Sequence, residues 1–337
     1  MVTKDIINLY VKKGLISETK HPDFDLWIYN YTPQVQYDKL WDEVTLNTRG
    51  LILDINGNVI ARGFSKFFNL EELGLTDIPN ESFDVTTKLD GSLGITYNYN
   101  NKFYIATRGS FTSDQAIVAN EILYSKYSHL LDRLDKDKIY QFEILFPENR
   151  IVVNYGGTRD IILLNIMDKM GNDLPMEDIG FPIVKKHNGI LDFSALKNLN
   201  IDNEEGFVIR FKSGFRMKIK FEEYVRLHRI LTNISSRHIW EYLKDNLPMD
   251  EILERVPDEF YDWVKNVKSN LENEYKLIEL QSIKDFKLFD NRKDAAEYYK
   301  TCDNPGILFN MLDNRDYSKY IWKLIKPTYE KPFKNEK

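Results

Sequence analysis

Lys88 opens the run Lys88-Leu89-Asp90-Gly91-Ser92, an amine and a carboxylate two positions apart followed by a turn glycine. Further along, single charged residues interrupt apolar, strand-like sequence: Glu143 in Gln141-Phe142-Glu143-Ile144-Leu145, Glu205 ahead of Gly206-Phe207-Val208, and the pair in Met217-Lys218-Ile219-Lys220. The first pattern alone is weak. Roughly one chain in twelve of this length would contain it by chance at ordinary residue frequencies, and it describes a hairpin turn with a solvated lysine equally well. Lys218 and Lys220 are two apart on a strand pattern, so both ammonium groups share one face, with Phe215, Met217, Ile219 and Phe221 on the other. The lysine face is therefore either open to water or part of a charged cleft. A cleft that binds phosphates would use it.

The elements that must position these residues are strands. Residues 1 to about 48 start with a helical pattern (Ile6, Ile7, Tyr10, Val11) and pass into aromatic, turn-broken sequence from Trp27 to Trp41. From Arg49 the texture turns to β, with a hairpin predicted across Asn56-Gly57. Val85-Thr86-Thr87 leads as a strand into Lys88, and Leu93 to Tyr97 pairs with Phe103 to Ala106. A helix is predicted from Ser113, a plausible N-cap, to Tyr127. Strands are predicted at Ile139–Leu145, Arg150–Tyr155 and Asp160–Met167, then a hairpin of Gly206–Phe211 and Phe215–Lys220. After about residue 233 the β signal stops. Phe260, Val264, Val267, Leu271, Tyr275 and Ile278 recur at helical spacing, and further helices are expected around Ala295–Tyr299 and Tyr317–Ile325.

A chain of 337 residues has room for one large domain and a smaller companion. Its 42% hydrophobic and 29% charged residues suit a globular protein, with no apolar run long enough for a membrane span. The N-terminal stretch, with Lys12 and Lys13 inside an amphipathic pattern, is unlike a secretory signal. The single cysteine, Cys302, excludes an internal disulfide and fits a reducing compartment, so a cytoplasmic location is expected. A net charge of −6 gives no global attraction to nucleic acid, and any polyanion site must be a local basic patch. Five scattered histidines and one cysteine have no zinc-ligand spacing.

Taken in order, Lys88-Leu89-Asp90-Gly91, Phe142-Glu143, Glu204-Glu205-Gly206-Phe207-Val208 and Lys218-Ile219-Lys220 resemble the motif series of covalent nucleotidyltransferases, the superfamily of polynucleotide ligases and messenger-RNA capping enzymes. Within it the chain is most similar to the phage-type RNA ligases, the family of the T-even phage enzyme that seals broken transfer RNA. The supporting stretches are Thr48-Arg49-Gly50, Ser65 to Asn69, Thr107-Arg108-Gly109-Ser110, Asn149 to Val153, Ile161 to Asn165 and Phe215 to His228, so the likeness spans roughly residues 45 to 230. The resemblance implies an α+β fold: an antiparallel-sheet nucleotidyltransferase (adenylation) domain over 1–233, then a smaller all-α domain over 234–337 that serves as an RNA-substrate module.

It also implies a three-step reaction. Lys88 attacks the α-phosphate of ATP to form lysyl-AMP, AMP passes to an RNA 5′-phosphate, and a 3′-hydroxyl displaces AMP. A lysine of ordinary pKa, about 10.4, is not nucleophilic at neutral pH, so the first step needs a positive field or desolvation. Lys218 and Lys220 would provide that field and touch the phosphates. Asp90, Glu143 and Glu205 would hold a hydrated Mg²⁺, with Mn²⁺ able to substitute. The likeness places Arg49, Lys66 and Arg108 on the triphosphate or RNA phosphate, the last where the family has lysine. It gives Thr87, Leu89, Leu164 and Val208 to the nucleotide pocket, and Arg150 with the run Tyr224 to Arg229 to RNA contacts. The expected partner is RNA with 5′-phosphate and 3′-hydroxyl ends, in transfer-RNA repair, with no membrane and no obligate protein partner. A GTP- or DNA-specific transferase and a non-catalytic RNA-binding protein are the alternatives.

Overall fold

The computed structural model describes residues 3–232, 234–253, 256 and 260–330. These fall into two compact units, Met1–His228 and Arg229–Lys337.

Local sequence accounts for how the first unit starts. Helix α1 (Lys4–Lys12) is capped by Thr3, whose side chain accepts the Ile6 N–H, and it buries Ile7. Strands β1 (Ile16–Lys20), β2 (Leu26–Tyr31), β3 (Arg49–Asp54) and β4 (Val59–Ala61) form an antiparallel sheet in chain order, with short helices α2 (Pro33–Tyr37) and α3 (Glu43–Asn47) between β2 and β3. The β3–β4 turn is the predicted one. Asp54 Oδ1 accepts the N–H groups of Asn56 and Asn58, and Gly57 takes φ +85°. β1 and β2 lie where the sequence showed only broken aromatic texture.

Two five-stranded sheets make up the rest. Their strands are β5 (Phe68–Asn69), β6 (Phe83–Lys88), β7 (Ser92–Tyr99), β8 (Lys102–Ala106), β9 (Lys138–Leu145), β10 (Asp160–Asp168), β11 (Asp173–Leu174), β12 (Lys186–His187), β13 (Gly206–Phe211) and β14 (Arg216–Lys220). One sheet has the order β11-β10-β9-β7-β8 and is antiparallel. The other has the order β12-β6-β13-β14-β5, antiparallel except for the β14–β5 pair. Alternation gives each sheet one apolar face. Phe142, Ile144, Ile161 and Leu163 bury theirs against α4 (Asp114–Lys126), which begins at the N-cap Ser113 as predicted. Val85, Phe207, Ile209, Met217 and Ile219 bury theirs with Val152, Val153 and Tyr224, the last from α5 (Glu222–Thr232). Each such side chain contributes about 1.5–3 kcal/mol, which fixes the register. The chemical residues are thereby confined to the opposite faces.

The predicted strand at Arg150–Tyr155 does not form. The N–H groups of Val152 and Val153 donate instead to the Asp90 carboxylate, both at 2.8 Å, and so have no strand partner to make.

The second unit is helical, with no strand among its described residues: α6 (Ser236–Lys244), α7 (Asp250–Leu253), α8 (Tyr261–Asp285), α9 (Arg292–Tyr299), α10 (Pro305–Leu312) and α11 (Ser318–Leu324). Trp240 Nε1 donates to the Trp322 carbonyl at 2.8 Å, and the Tyr275 ring packs on Trp322, which joins α6, α8 and α11. The chain is thus mixed α+β with antiparallel sheets. Among the described residues no helix is long and apolar enough to cross a membrane.

Candidate active site

Strand register assembles the site. Lys88 at the end of β6 pairs with Gly206, and Gly206 pairs with Lys220 on β14, so the two lysines flank one glycine in a single row. The next row on that face is Thr86, Val208 and Lys218. Gly206 is required there: its φ is +150°, and an added Cβ would lie 2.0 Å from the Ile219 carbonyl oxygen. Just before it, Glu205 is only 3% exposed. It bridges the row, with Oε2 2.6 Å from Lys88 Nζ and Oε1 3.7 Å from Lys220 Nζ.

Glu143 approaches from the other sheet. Its Oε1 accepts the Gly91 N–H at 2.9 Å. A Cβ on Gly91 would lie 2.6 Å from the Ile144 carbonyl oxygen and 3.2 Å from Glu143 Cγ, so this turn closes on β9 only with glycine. Burial pushes the Glu143 carboxyl up to about 8; Glu205 and Asp90 push the same way, against Lys88 and the Gly91 amide.

Asp90 is enclosed by protein donors. Its Oδ2 accepts Val152 N–H and Val153 N–H, its Oδ1 accepts the Tyr224 hydroxyl at 2.8 Å, and its own N–H donates to Tyr155 Oη at 2.8 Å. Three of about four lone-pair sites are thereby occupied by protein donors on a carboxylate only 3% exposed. In this geometry Asp90 clamps the turn after Lys88 to the 146–158 segment. Asn149 adds a second tie, donating to Ser92 Oγ at 3.0 Å and to the Ile144 carbonyl at 3.2 Å.

Thr87 lies on the other face of β6. Its neighbours in the row are Phe207 and Ile219, on the face away from Lys88; its hydroxyl lies 2.8 Å from His187 Nε2, and its N–H donates to the Lys185 carbonyl. Leu89 is half-buried in the turn. Val208 is half-buried in the Lys218 row, and Leu164 sits at a bulge in β10, packed on the cluster of Ile95, Tyr97 and Phe64. Lys66 and Arg108 come together over one aromatic cluster. Lys66 Nζ lies 5.3 Å from the rings of both Trp41 and Phe68, Arg108 lies 5.6 Å from that of Tyr31, and Trp41 contacts both Tyr31 and Phe68. Arg49 opens β3 opposite Asn30. In the C-terminal run, Tyr224 holds Asp90 and Arg226 pairs with Glu223 on its own helix, while the side chains of Leu227 and Arg229 lie outside those described.

Sequence reasoning missed Tyr155 and the bond from Tyr224, named there only as an RNA contact, that make the clamp, and a latch between the two sheets. Asp173 on β11 is held by Arg216 Nη2 at 2.7 Å, Arg210 Nε at 2.6 Å and Asn165 Nδ2 at 2.8 Å. Arg216 extends the period-two cation pattern of Lys218 and Lys220 and could have been read from it; the tyrosines carry no such signal.

A family model described as RNA ligase matches residues 47–225 of this mixed α+β chain, more than half of its length. The chain belongs to the RNA ligase family. A protein of Autographa californica nuclear polyhedrosis virus, whose name proposes a bifunctional polynucleotide kinase/RNA ligase, is 27% identical over 247 residues, covering 62% of this chain and 34% of that protein. A Thermovibrio ammonificans protein, proposed by name to be an RNA ligase, is 27% identical over 212 residues, covering 56% of this chain and 55% of its own. The RNA ligase of Rhodothermus phage RM378 is 23% identical over 401 positions, covering 93% of this chain and 87% of that one. The chain spans about a third of the length of the first relative and about half of the second.

Proposed function

We propose that this chain is an ATP-dependent RNA ligase that joins 5′-phosphate and 3′-hydroxyl ends through lysyl-AMP on Lys88 and an adenylylated RNA. The observation that carries the reading is the row of Lys88, Gly206 and Lys220 with Glu205 bridging the two amines. A protonated amine has no lone pair, so the Lys88 proton leaves before the P–N bond forms, and Glu205 at 2.6 Å is in position to take it. Lys220 and Lys218, on the same face, would bind the α-phosphate and stabilise the charge that grows on its oxygens. Pyrophosphate then leaves with the bonding electrons. Lys66, Arg108 and Arg49 are assigned to the polyphosphate or the RNA 5′-phosphate, and Val208 with Leu164 to the adenine.

Mg²⁺, replaceable by Mn²⁺, fits Glu143 and Glu205. Among the described residues no three Asp, Glu, His or Cys side chains converge as direct ligands, which suits an ion held through water. Burial is the main cause that pushes Glu143 up to about 8, with Glu205 and Asp90 adding to it, and a cation beside these carboxylates would act in the opposite direction. When bound, it would neutralise charge on the transferring phosphoryl group. We assign residues 1–233 to adenylation and 234–337 to contact with the RNA, in transfer-RNA repair in the cytoplasm.

The test is covalent labelling with α-labelled ATP or GTP and Mg²⁺. Label from ATP on the denatured parent, absent from Lys88→Ala, is expected. A Lys88-independent signal, or none from a protein shown to be free of AMP, sinks the reading. Preference for GTP, or joining of DNA ends over RNA ends, would select the related transferases instead.

A further inference from the structure

Beside the Asp90 clamp lies a cavity of about 160 Å³ that the chemistry above does not use. Its lining mixes apolar and aromatic residues such as Phe146, Val153 and Tyr155 with the polar Asn149, Arg150 and Asn154. We propose that this cavity seats the terminal nucleoside of the RNA strand that supplies the 3′-hydroxyl, a proposal that rests on the RNA ligase reading.

Position comes first. Asp90 lines the cavity and is two residues from Lys88, so their α-carbons are within about 7 Å. In the sealing step the 3′-oxygen attacks the adenylylated 5′-phosphorus. A P–O bond forms to that oxygen, the P–O bond to AMP breaks with its electrons going to AMP, and the hydroxyl proton passes to water. In-line attack requires the incoming strand to enter beside the AMP cleft, not within it. The cavity reaches Asp90, two residues from Lys88, and includes none of the three lysines in its lining.

Charge and size agree. The incoming end carries no terminal phosphate, and the cavity offers one guanidinium, where the lysine face offers two ammonium groups in adjacent rows. Arg150 uses two of its five donors on the Val152 carbonyl, at 3.3 and 3.2 Å. Apolar and ring surface with an amide and hydroxyl rim suits a base or ribose. The volume is below the roughly 300–1,000 Å³ of whole small-molecule pockets, so it takes one nucleoside end and not a nucleoside triphosphate. The walls are also preset. Val153 and Tyr155 are hydrogen-bonded to Asp90, and Asn149 is hydrogen-bonded to Ser92. Filling the cavity therefore places the 3′-hydroxyl relative to Lys88 without reordering the loop.

The experiment uses the full chain, Arg150→Ala to remove the cation and Asn154→Trp to fill the space, with Arg150→Lys as the conservative variant and thermal melts to confirm folding. Sealing of chemically pre-adenylylated RNA to an acceptor oligonucleotide is measured against acceptor concentration, alongside self-labelling with α-labelled ATP. The expected result is a rise of tenfold or more in KM for the acceptor in both variants, with kcat for sealing at saturating acceptor within about threefold of the parent and partial recovery in Arg150→Lys. Unchanged acceptor KM in folded variants overturns the proposal, as does a fall in ATP labelling in Asn154→Trp as large as its rise in acceptor KM, which would give the cavity to the nucleotide. A parent that neither labels nor seals overturns the ligase reading itself and this proposal with it.

Discussion

Asp90 shows how far one side chain's surroundings can take up its bonding capacity. From sequence it is a carboxylate two residues from a lysine, equally suited to a metal or a loop. Two backbone N–H groups and a tyrosine hydroxyl fill it here, and these charge-assisted bonds are stronger than neutral ones. In Asp90→Asn, an amide replaces one acceptor oxygen with a donor that faces either Tyr224 or the two amides. The variant should lose about 2–3 kcal/mol of stability and self-label at least tenfold more slowly, since the turn carrying Lys88 is released. Chemical denaturation and labelling rates check both. A variant as stable as the parent with labelling restored by raised Mg²⁺ would return Asp90 to the metal. The charged residues of the site were legible because each interrupts an apolar strand. Their partners were not: Tyr155 and Tyr224 are ordinary core-forming types, and no local pattern says that a tyrosine will meet an aspartate 65 or 134 positions away.

At the scale of elements, alternation and turn chemistry made the hairpins around Asn56-Gly57 and Lys212-Ser213-Gly214 readable, whereas the β1–β2 hairpin has no such turn signal and the irregular 150–155 segment depends on bonds to Asp90, some sixty positions away. Long-range pairing also sets how the two five-stranded sheets face each other, and Asp173 is its clearest instance. Burial would raise its carboxyl, but Arg216, Arg210 and Asn165 together hold it below its ordinary value. A carboxylate with a depressed folded value adds stability that is whole above its unfolded value near 3.9 and is lost as pH falls through the folded one. Asp173→Asn should therefore cost about 3 kcal/mol at pH 7, because Arg216 keeps its buried place without a charge partner. The gap between variant and parent should narrow below about pH 4. Urea titrations across pH measure it, and a gap independent of pH would mean that Asp173 acts by packing alone.

At the scale of the whole molecule, a net charge of −6 leaves RNA binding to local patches, and the chain divides between His228 and Arg229 into a β-rich unit holding every assigned chemical residue and a helical unit holding none. The site therefore calls for the first unit plus whatever keeps Asp90 in place, and α5 supplies that through Tyr224. Two truncations separate these needs. A chain ending at Ser235 keeps α5 entire and should self-label from ATP within about tenfold of the full protein, while sealing of structured RNA falls much further. A chain ending at Phe221 loses the hydroxyl that occupies Asp90 Oδ1, and it should label poorly even though every residue of the lysine row remains. Supplying Tyr224→Phe in the full chain isolates the same bond, with an expected partial loss. If the longer fragment is folded by circular dichroism yet takes no label, the helical unit itself contributes to nucleotide transfer; if both fragments label equally, the Tyr224 bond has no part in holding the turn that carries Lys88.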